Sequence, residues 1–149
     1  MGCHCFGQRS KSKGDVQMKR NDITSSIKAR ISTLGMVTVY PNVTPPSPLT
    51  RPYLDVSFPT ADRSDRTLAG TQTQERGTIA VSVVVDEGTA TEAANGYADA
   101  VSDLFPTALR FAFTGGEITI MKPADIKGGF NAGTEWRVPV MIEYHANQT

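Results

Sequence analysis

Cysteine is almost missing from this chain: Cys3 and Cys5 are the only two, and both lie within the first five residues. The body of the protein therefore has no disulfide framework. Histidine is limited to His4 and His145, which leaves little material for a nucleophile–histidine pair of the kind that drives acyl transfer. No apolar run approaches the ~20 residues of a membrane span, so a transmembrane protein is excluded. Charge of one sign is lacking as well: 15 basic and 15 acidic side chains balance to a formal net charge of zero, with a pI near 6.7. Such a surface is no general match for nucleic acid or anionic lipid. Leucine is scarce, whereas threonine, valine and isoleucine make up 37 of the 149 residues. These β-branched side chains suit pleated strands, so strands are expected to outweigh helices. The length suffices for one domain that folds without metal or disulfide help.

Residues 1–17 (MGCHCFGQRSKSKGDVQ) carry neither a 3.6- nor a 2-residue apolar rhythm, and Arg9, Lys11 and Lys13 give them a basic bias. They read as a disordered leader outside the fold or draped over a neighbour, with Met18 a candidate start for the regular segment. The leader lacks the apolar core of a secretory signal, and Phe6 stands where a myristoylation pattern needs Ser or Thr. From Asp22 the spacing predicts a helix, because Ile23, Ile27, Ile31 and Leu34 fall within about 80° of one another on a helical wheel. Asn21 or Asp22 is the expected N-cap, and Gly35 the left-handed terminator. A short strand is expected over 36–40, followed by a five-proline connection over 41–52 that cannot carry much ladder hydrogen bonding.

Residues 53–58 alternate as a half-buried strand, and 60–76 read as a long polar, charged loop. Over 78–85 the valines and isoleucine occupy both parities, which marks a central strand. Residues 90–105 form an amphipathic helix stopped by Pro106. Two further strands are expected over 117–121 (EITIM) and 136–144 (WRVPVMIEY). Pro139 points to an edge position or a bulge in the second of them. The order helix-β-β-β-helix-β-β describes an α+β domain over residues 18–149. It predicts a mixed, mainly antiparallel sheet of about five strands, with both helices on one face.

Chemistry-bearing constellations are thin. Cys3-His4-Cys5 sets three metal-capable donors side by side, but adjacent donors cannot wrap a tetrahedral ion and no second pair exists. Gly115-Gly116, Gly128-Gly129 and Gly133 are not followed by a phosphate-binding Lys-Ser/Thr and read as turns. Asp86 and Glu87 before Gly88 read as a strand-ending turn, and Asn42-Val43-Thr44 as a chance tripeptide. No catalytic, cofactor or metal site is expected. Asp99 and Asp103 read first as a solvated helix face, though their position slightly resists it. They lie in the second half of their helix, where the dipole disfavours anions by about 0.3–1 kcal/mol each. A basic partner supplied by another chain would offset this, and the loop bearing Arg63, Arg66 and Arg76 is the candidate for an oligomer or tube interface.

The segment from Met18 onward resembles the tail terminator family of long-tailed bacteriophages. The likeness is carried by ITSSIKARISTL, the strand into YPNV, the Pro-rich link to PYLDVSF and the polar loop. GTIAVSVVVDEG, the alanine-rich helix ending LFP, EITIM and EWRVPVMIEYHA complete it. The resemblance implies a non-enzymatic virion protein: a homohexameric ring at the head-proximal end of the tail. Such a ring ends tube polymerisation and presents a surface for head joining. Its implied partners are the tail tube protein and the head-side neck or connector proteins, with genomic DNA passing through without specific binding and no membrane contact. A ring needs two unlike, complementary patches per protomer. Two alternatives stand beside this reading. One is another neck or tail-completion protein; the other is a small cytosolic enzyme or ligand-binding domain, which would need a polar-lined pocket.

Overall fold

The computed structural model describes residues 18–65, 72–88 and 91–148. Helix α1 (Arg20–Ser32) is followed by β1 (Thr38–Val39), β2 (Tyr53–Asp65) and β3 (Thr73–Asp86). Helix α2 (Thr91–Leu104) then leads into β4 (Arg110–Phe113), β5 (Gly116–Ile120), β6 (Asp125–Ile126), β7 (Phe130–Ala132) and β8 (Glu135–Gln148). The fold is α+β, as expected, but its sheet is larger than about five strands: eight strands join one mixed sheet in the order β1-β2-β3-β8-β5-β4. Among the described residues only the β1–β2 pairing is parallel. The additional strands are short, and β6 and β7 both pair with β8. Two- and three-residue strands hold too few side chains to show a period, which is why alternation does not reveal them.

The centre of the sheet is the β3–β8 pair, registered without interruption from Gln74↔Asn147 to Asp86↔Glu135. Period-2 alternation sends Ile79, Val81, Val83 and Val85 of β3, with Val138, Val140, Ile142 and Tyr144 of β8, to one inner face. Leu54, Val56, Ile118 and Ile120 extend that face, and Ile23, Ile27 and Ile31 of α1 and Ala94, Ala98 and Val101 of α2 close over it. All three α1 isoleucines are at most 1% exposed. Each contributes about 1.5–3 kcal/mol relative to full exposure, so tertiary burial rather than capping holds the helix. Neither Asn21 nor Asp22 is the N-cap. The cap lies two residues before Asn21, at extended Lys19, with no side-chain cap bond. The Lys19 carbonyl accepts from the N–H groups of both Asp22 (3.1 Å) and Ile23 (3.2 Å). Gly35 has φ +71°, the left-handed conformation expected of it.

Pro139 marks neither an edge nor a bulge, because it pairs with Ser82 inside the continuous β3–β8 register. In an antiparallel ladder a residue's N–H and C=O point to the same flank. The Pro139 carbonyl accepts from the Lys127 N–H at 2.8 Å, on the side away from β3. That flank is where β6 ends and β7 has not begun, as their registers on β8 show. The missing donor therefore falls in a gap between short strands, and β3 loses no bond. At the sheet's ends, Ser26 Oγ of α1 donates to the Ala112 carbonyl of β4 (2.9 Å). The outer edge of β2 carries β1 only at Leu54 and Asp55. Beyond that, a register shift between Ser57 and Thr60, together with Pro59 and the charged residues that follow, blunts the edge against strand addition.

Gly77 faces the core opposite Tyr144. A Cβ there would lie 2.5–2.7 Å from the tyrosine's ring and hydroxyl. Gly77→Ala is expected to destabilise the protein by about 1–3 kcal/mol through overpacking. Urea unfolding followed by tryptophan fluorescence measures it; an unchanged midpoint would show that the ring can move aside.

Candidate functional site

The stretch 60–76 is not the long loop its polar composition suggests. β2 continues to Asp65 and β3 begins at Thr73, so most of it is a paired arm of the sheet. Its register runs from Thr60↔Thr78 to Asp65↔Thr73. A strand alternates its side chains, so the arginines part company. Arg63 turns inward to Glu75, whereas Arg76 is exposed on the outer face beside Asp62 and His145. Arg66 lies outside the described residues, as does the leader with Cys3, His4 and Cys5. Arg63 and Arg76 do not form one basic patch.

The inward side of the arm holds a group the sequence reading missed. Glu75 is fully buried. Arg63 Nε (2.9 Å) and Arg20 Nη1 (3.3 Å) both donate to its Oε1, and the Tyr144 hydroxyl donates to Oε2 at 2.8 Å. Arg63 Nη1 also donates to the Met18 carbonyl at 3.1 Å. Four elements of the chain meet at one carboxylate: the start of α1, β2, β3 and β8. Burial pushes the Tyr144 phenol well above its usual value, and its hydrogen bond to Glu75 and that group's charge raise it further. A legible signal existed. The rhythm Ile79, Val81, Val83, Val85, run backwards, puts Gly77 and Glu75 on the core face. The surrounding polar residues disguise it.

On the opposite face of the sheet, Glu135 is the centre of a second cluster. Its Oε2 accepts from Arg51 Nε (3.3 Å) and the Tyr53 hydroxyl (3.1 Å), and its Oε1 from Arg137 Nη2 (3.0 Å) and Nε (3.3 Å). Arg51 continues to Asp86 (2.6 Å) and Thr134 (3.2 Å), and Arg137 to Asp55 (3.1 Å). This network pins the end of the proline-rich connection to the sheet and flanks Val84, which is fully buried although it faces outward. Burial pushes Glu135 upward, but the hydrogen bonds from Arg137, Tyr53 and Arg51 outweigh it and hold the carboxyl below the usual range. A cleft of about 100 Å³ lies beside it, lined by Arg51, Pro52, Val85, Asp86, Ala93 and Tyr97. Its two charged members, Arg51 and Asp86, are bonded to each other, so neither is free to hold a ligand.

Asp99 and Asp103 are exposed on α2, away from the buried Ala94, Ala98 and Val101. Helix α2 has no basic residue in its last turn. Part of the missing positive charge arrives from α1: Arg30 Nε donates to the terminal Leu104 carbonyl at 2.6 Å, satisfying an orphan acceptor of the helix end. The guanidinium also lies 5.5 Å and 5.9 Å from the ring centres of Phe111 and Phe105. It serves the backbone; neither aspartate has an ion pair among the described residues.

The profile of a family described as "Phage tail terminator protein" matches residues 22–144. One solved structure aligns with 87% of this chain and 96% of its own, at a TM-score of 0.74 and 21% identity. A chain from the virion of a native gene transfer agent particle aligns over 87% of this chain and 93% of its own, at a TM-score of 0.54 and 18% identity. At these identities the two structures establish a shared fold. No curated protein matches the sequence.

Removing the buried carboxylate by Glu75→Ala leaves the Tyr144 hydroxyl unsatisfied and a void beside it. A loss of at least about 2 kcal/mol is expected in chemical denaturation; Glu75→Gln, which keeps an acceptor, is expected to lose less. Equal stability of the alanine variant and wild type would deny the cluster a structural role. For Glu135, a folded-state pKa below the unfolded value contributes stability that is present above the unfolded value and disappears as pH falls through the folded one. Unfolding midpoints measured from pH 6 to pH 3 are expected to decline more steeply in wild type than in Glu135→Gln. The difference is expected to be no more than about 1 kcal/mol, because solvent reaches this cluster.

Proposed function

Because the chain belongs to the phage tail terminator protein family, we propose that it caps the head-proximal end of a tail tube as a homohexameric ring. In this reading the ring ends tube polymerisation and offers the surface on which the head-side neck proteins join. The protein is a structural component of the virion tail, and the observation that carries the reading is the family match over residues 22–144.

The fold supplies what such a ring needs. Its two ionic clusters join distant segments into one stiff body, so the protomer meets its neighbours by shape rather than by refolding. Two unlike surfaces are available for a head-to-tail contact: the acidic outer side of α2 with Asp99 and Asp103, and the side of the arm that carries Arg63. The opposing charges interspersed along the arm make it a weak grip for phosphate, which suits a conduit through which genomic DNA passes without specific binding. The tube end and the neck are the axial partners.

Tail assembly in cells that express the tube protein with or without this chain tests the reading. With it, tubes are expected to stop at one length and to carry a six-fold ring at one end in electron micrographs; without it, they are expected to overgrow. A ring that binds isolated portal or adaptor rings but never tube ends would reassign the protein to the neck.

A further inference from the structure

We propose that the turn of α2 bearing Asp99 and Asp103 docks on the Arg20–Arg63 pair of a second copy of this chain. The inference rests on the ring reading above and names the contact between adjacent protomers. It also changes the receiving surface expected from sequence, the stretch with Arg63, Arg66 and Arg76, by keeping Arg63 and pairing it with Arg20 of α1.

The donor side is α2. It contains three carboxylates, Glu92, Asp99 and Asp103, and no cation. Asp99 and Asp103 stand one turn apart on the exposed side, with Cβ atoms about 5–6 Å from each other, a like-charge spacing that weakens an isolated helix. Asp103 is also in the last turn, where the dipole opposes it. Within the protomer, Arg30 goes to the Leu104 carbonyl and leaves both carboxylates without an ion-pair partner among the described residues.

The receiving side is built around Glu75. Arg20 Nη1 and Arg63 Nε both touch the same Glu75 oxygen, at 3.3 and 2.9 Å. Their donor nitrogens therefore lie no more than about 6 Å apart, the spacing of two carboxylates one helical turn apart. The carboxylate is buried while the arginine side chains are 45% and 41% exposed. Two cations share one buried anion, and Lys19 is exposed alongside. Asp65, two residues further along the same side of β2, and Asp22, in the first turn of α1, reduce this surplus. Arg63 keeps Nη2, and Arg20 keeps Nε and Nη2, outside the bonds to Glu75 and Met18. Guanidinium groups already held by a buried partner lose little freedom when they accept a second carboxylate. The two patches do not meet within one chain. Arg30 ties the last turn of α1 to the end of α2, whereas Arg20 starts α1 ten residues earlier, about 15 Å along the axis. A contact between unlike, separated patches repeats around an axis until it closes.

Sedimentation velocity of the full chain, alone and with assembled tubes, tests this alongside zero-length carbodiimide coupling of mixed 14N and 15N protein. Carbodiimide joins lysine amines to carboxylates in contact, so peptides linking Lys19 to Asp99 or Asp103 across isotopes are expected. Asp99→Asn/Asp103→Asn is expected to raise the concentration needed for assembly on the order of tenfold or more with a thermal melt no lower than that of wild type, and Arg20→Gln is expected to act in the same direction. Assembly of the double aspartate variant at the wild-type concentration, or rings whose Lys19 couples only to other carboxylates, overturns the contact and leaves the ring reading standing. A wild-type chain that stays monomeric in solution and on tubes overturns both.

Discussion

Continuous antiparallel pairing between β3 and β8 is the constraint on which the other elements depend. Pairing over that length fixes which side chains share a face, because a slip by one residue would turn Ile79, Val81, Val83 and Val85 outward together. Once the inner face is set, both helices have a single apolar surface to cover, and the short strands β5, β6 and β7 have one long edge to line. Pro139 is tolerated in mid-strand because its missing donor points into a break along that edge.

The same register places the two ionic clusters. Glu75 is carried to the core face by the parity of β3, and Tyr144 by the parity of β8, so a carboxylate and a phenol meet under the arm. A buried carboxylate is costly unless its acceptor sites are filled, and here three donors from three other elements fill them. On the other face, Glu135 ties the end of an otherwise irregular proline-rich connection to three strands. Both clusters tie segments distant in sequence to one another and so limit the conformational freedom of the folded chain.

Rigidity also bears on the exposed charges. Arg63 faces inward and is bonded within the protomer, Arg76 faces outward, and the two cannot act as one patch although only thirteen residues separate them in sequence. The carboxylates of α2 present the reverse situation, three like charges on a helix without a cation of its own. The Glu75 cluster sets two arginines on one carboxylate, so the exposed charge of the chain is uneven in both signs.

Periodicity in the chain was enough to specify both helices, the central parts of β3 and β8, residues 53–58 of β2 and a core made of β-branched side chains, and the missing Cβ marked Gly35 as the left-handed terminator. Those features follow from local side-chain spacing, which needs no knowledge of neighbours. The family resemblance was legible for the same reason, since it resides in the order of these elements. What needed three dimensions was everything decided by pairing across the sheet. Two- and three-residue strands carry no period of their own, and β6 and β7 exist because β8 offers an edge. A polar arm reads as a loop until its partner strand is known, and the burial of Glu75 follows from Tyr144, 69 residues away. Charge partners chosen by register rather than by proximity in sequence are invisible until the sheet is assembled.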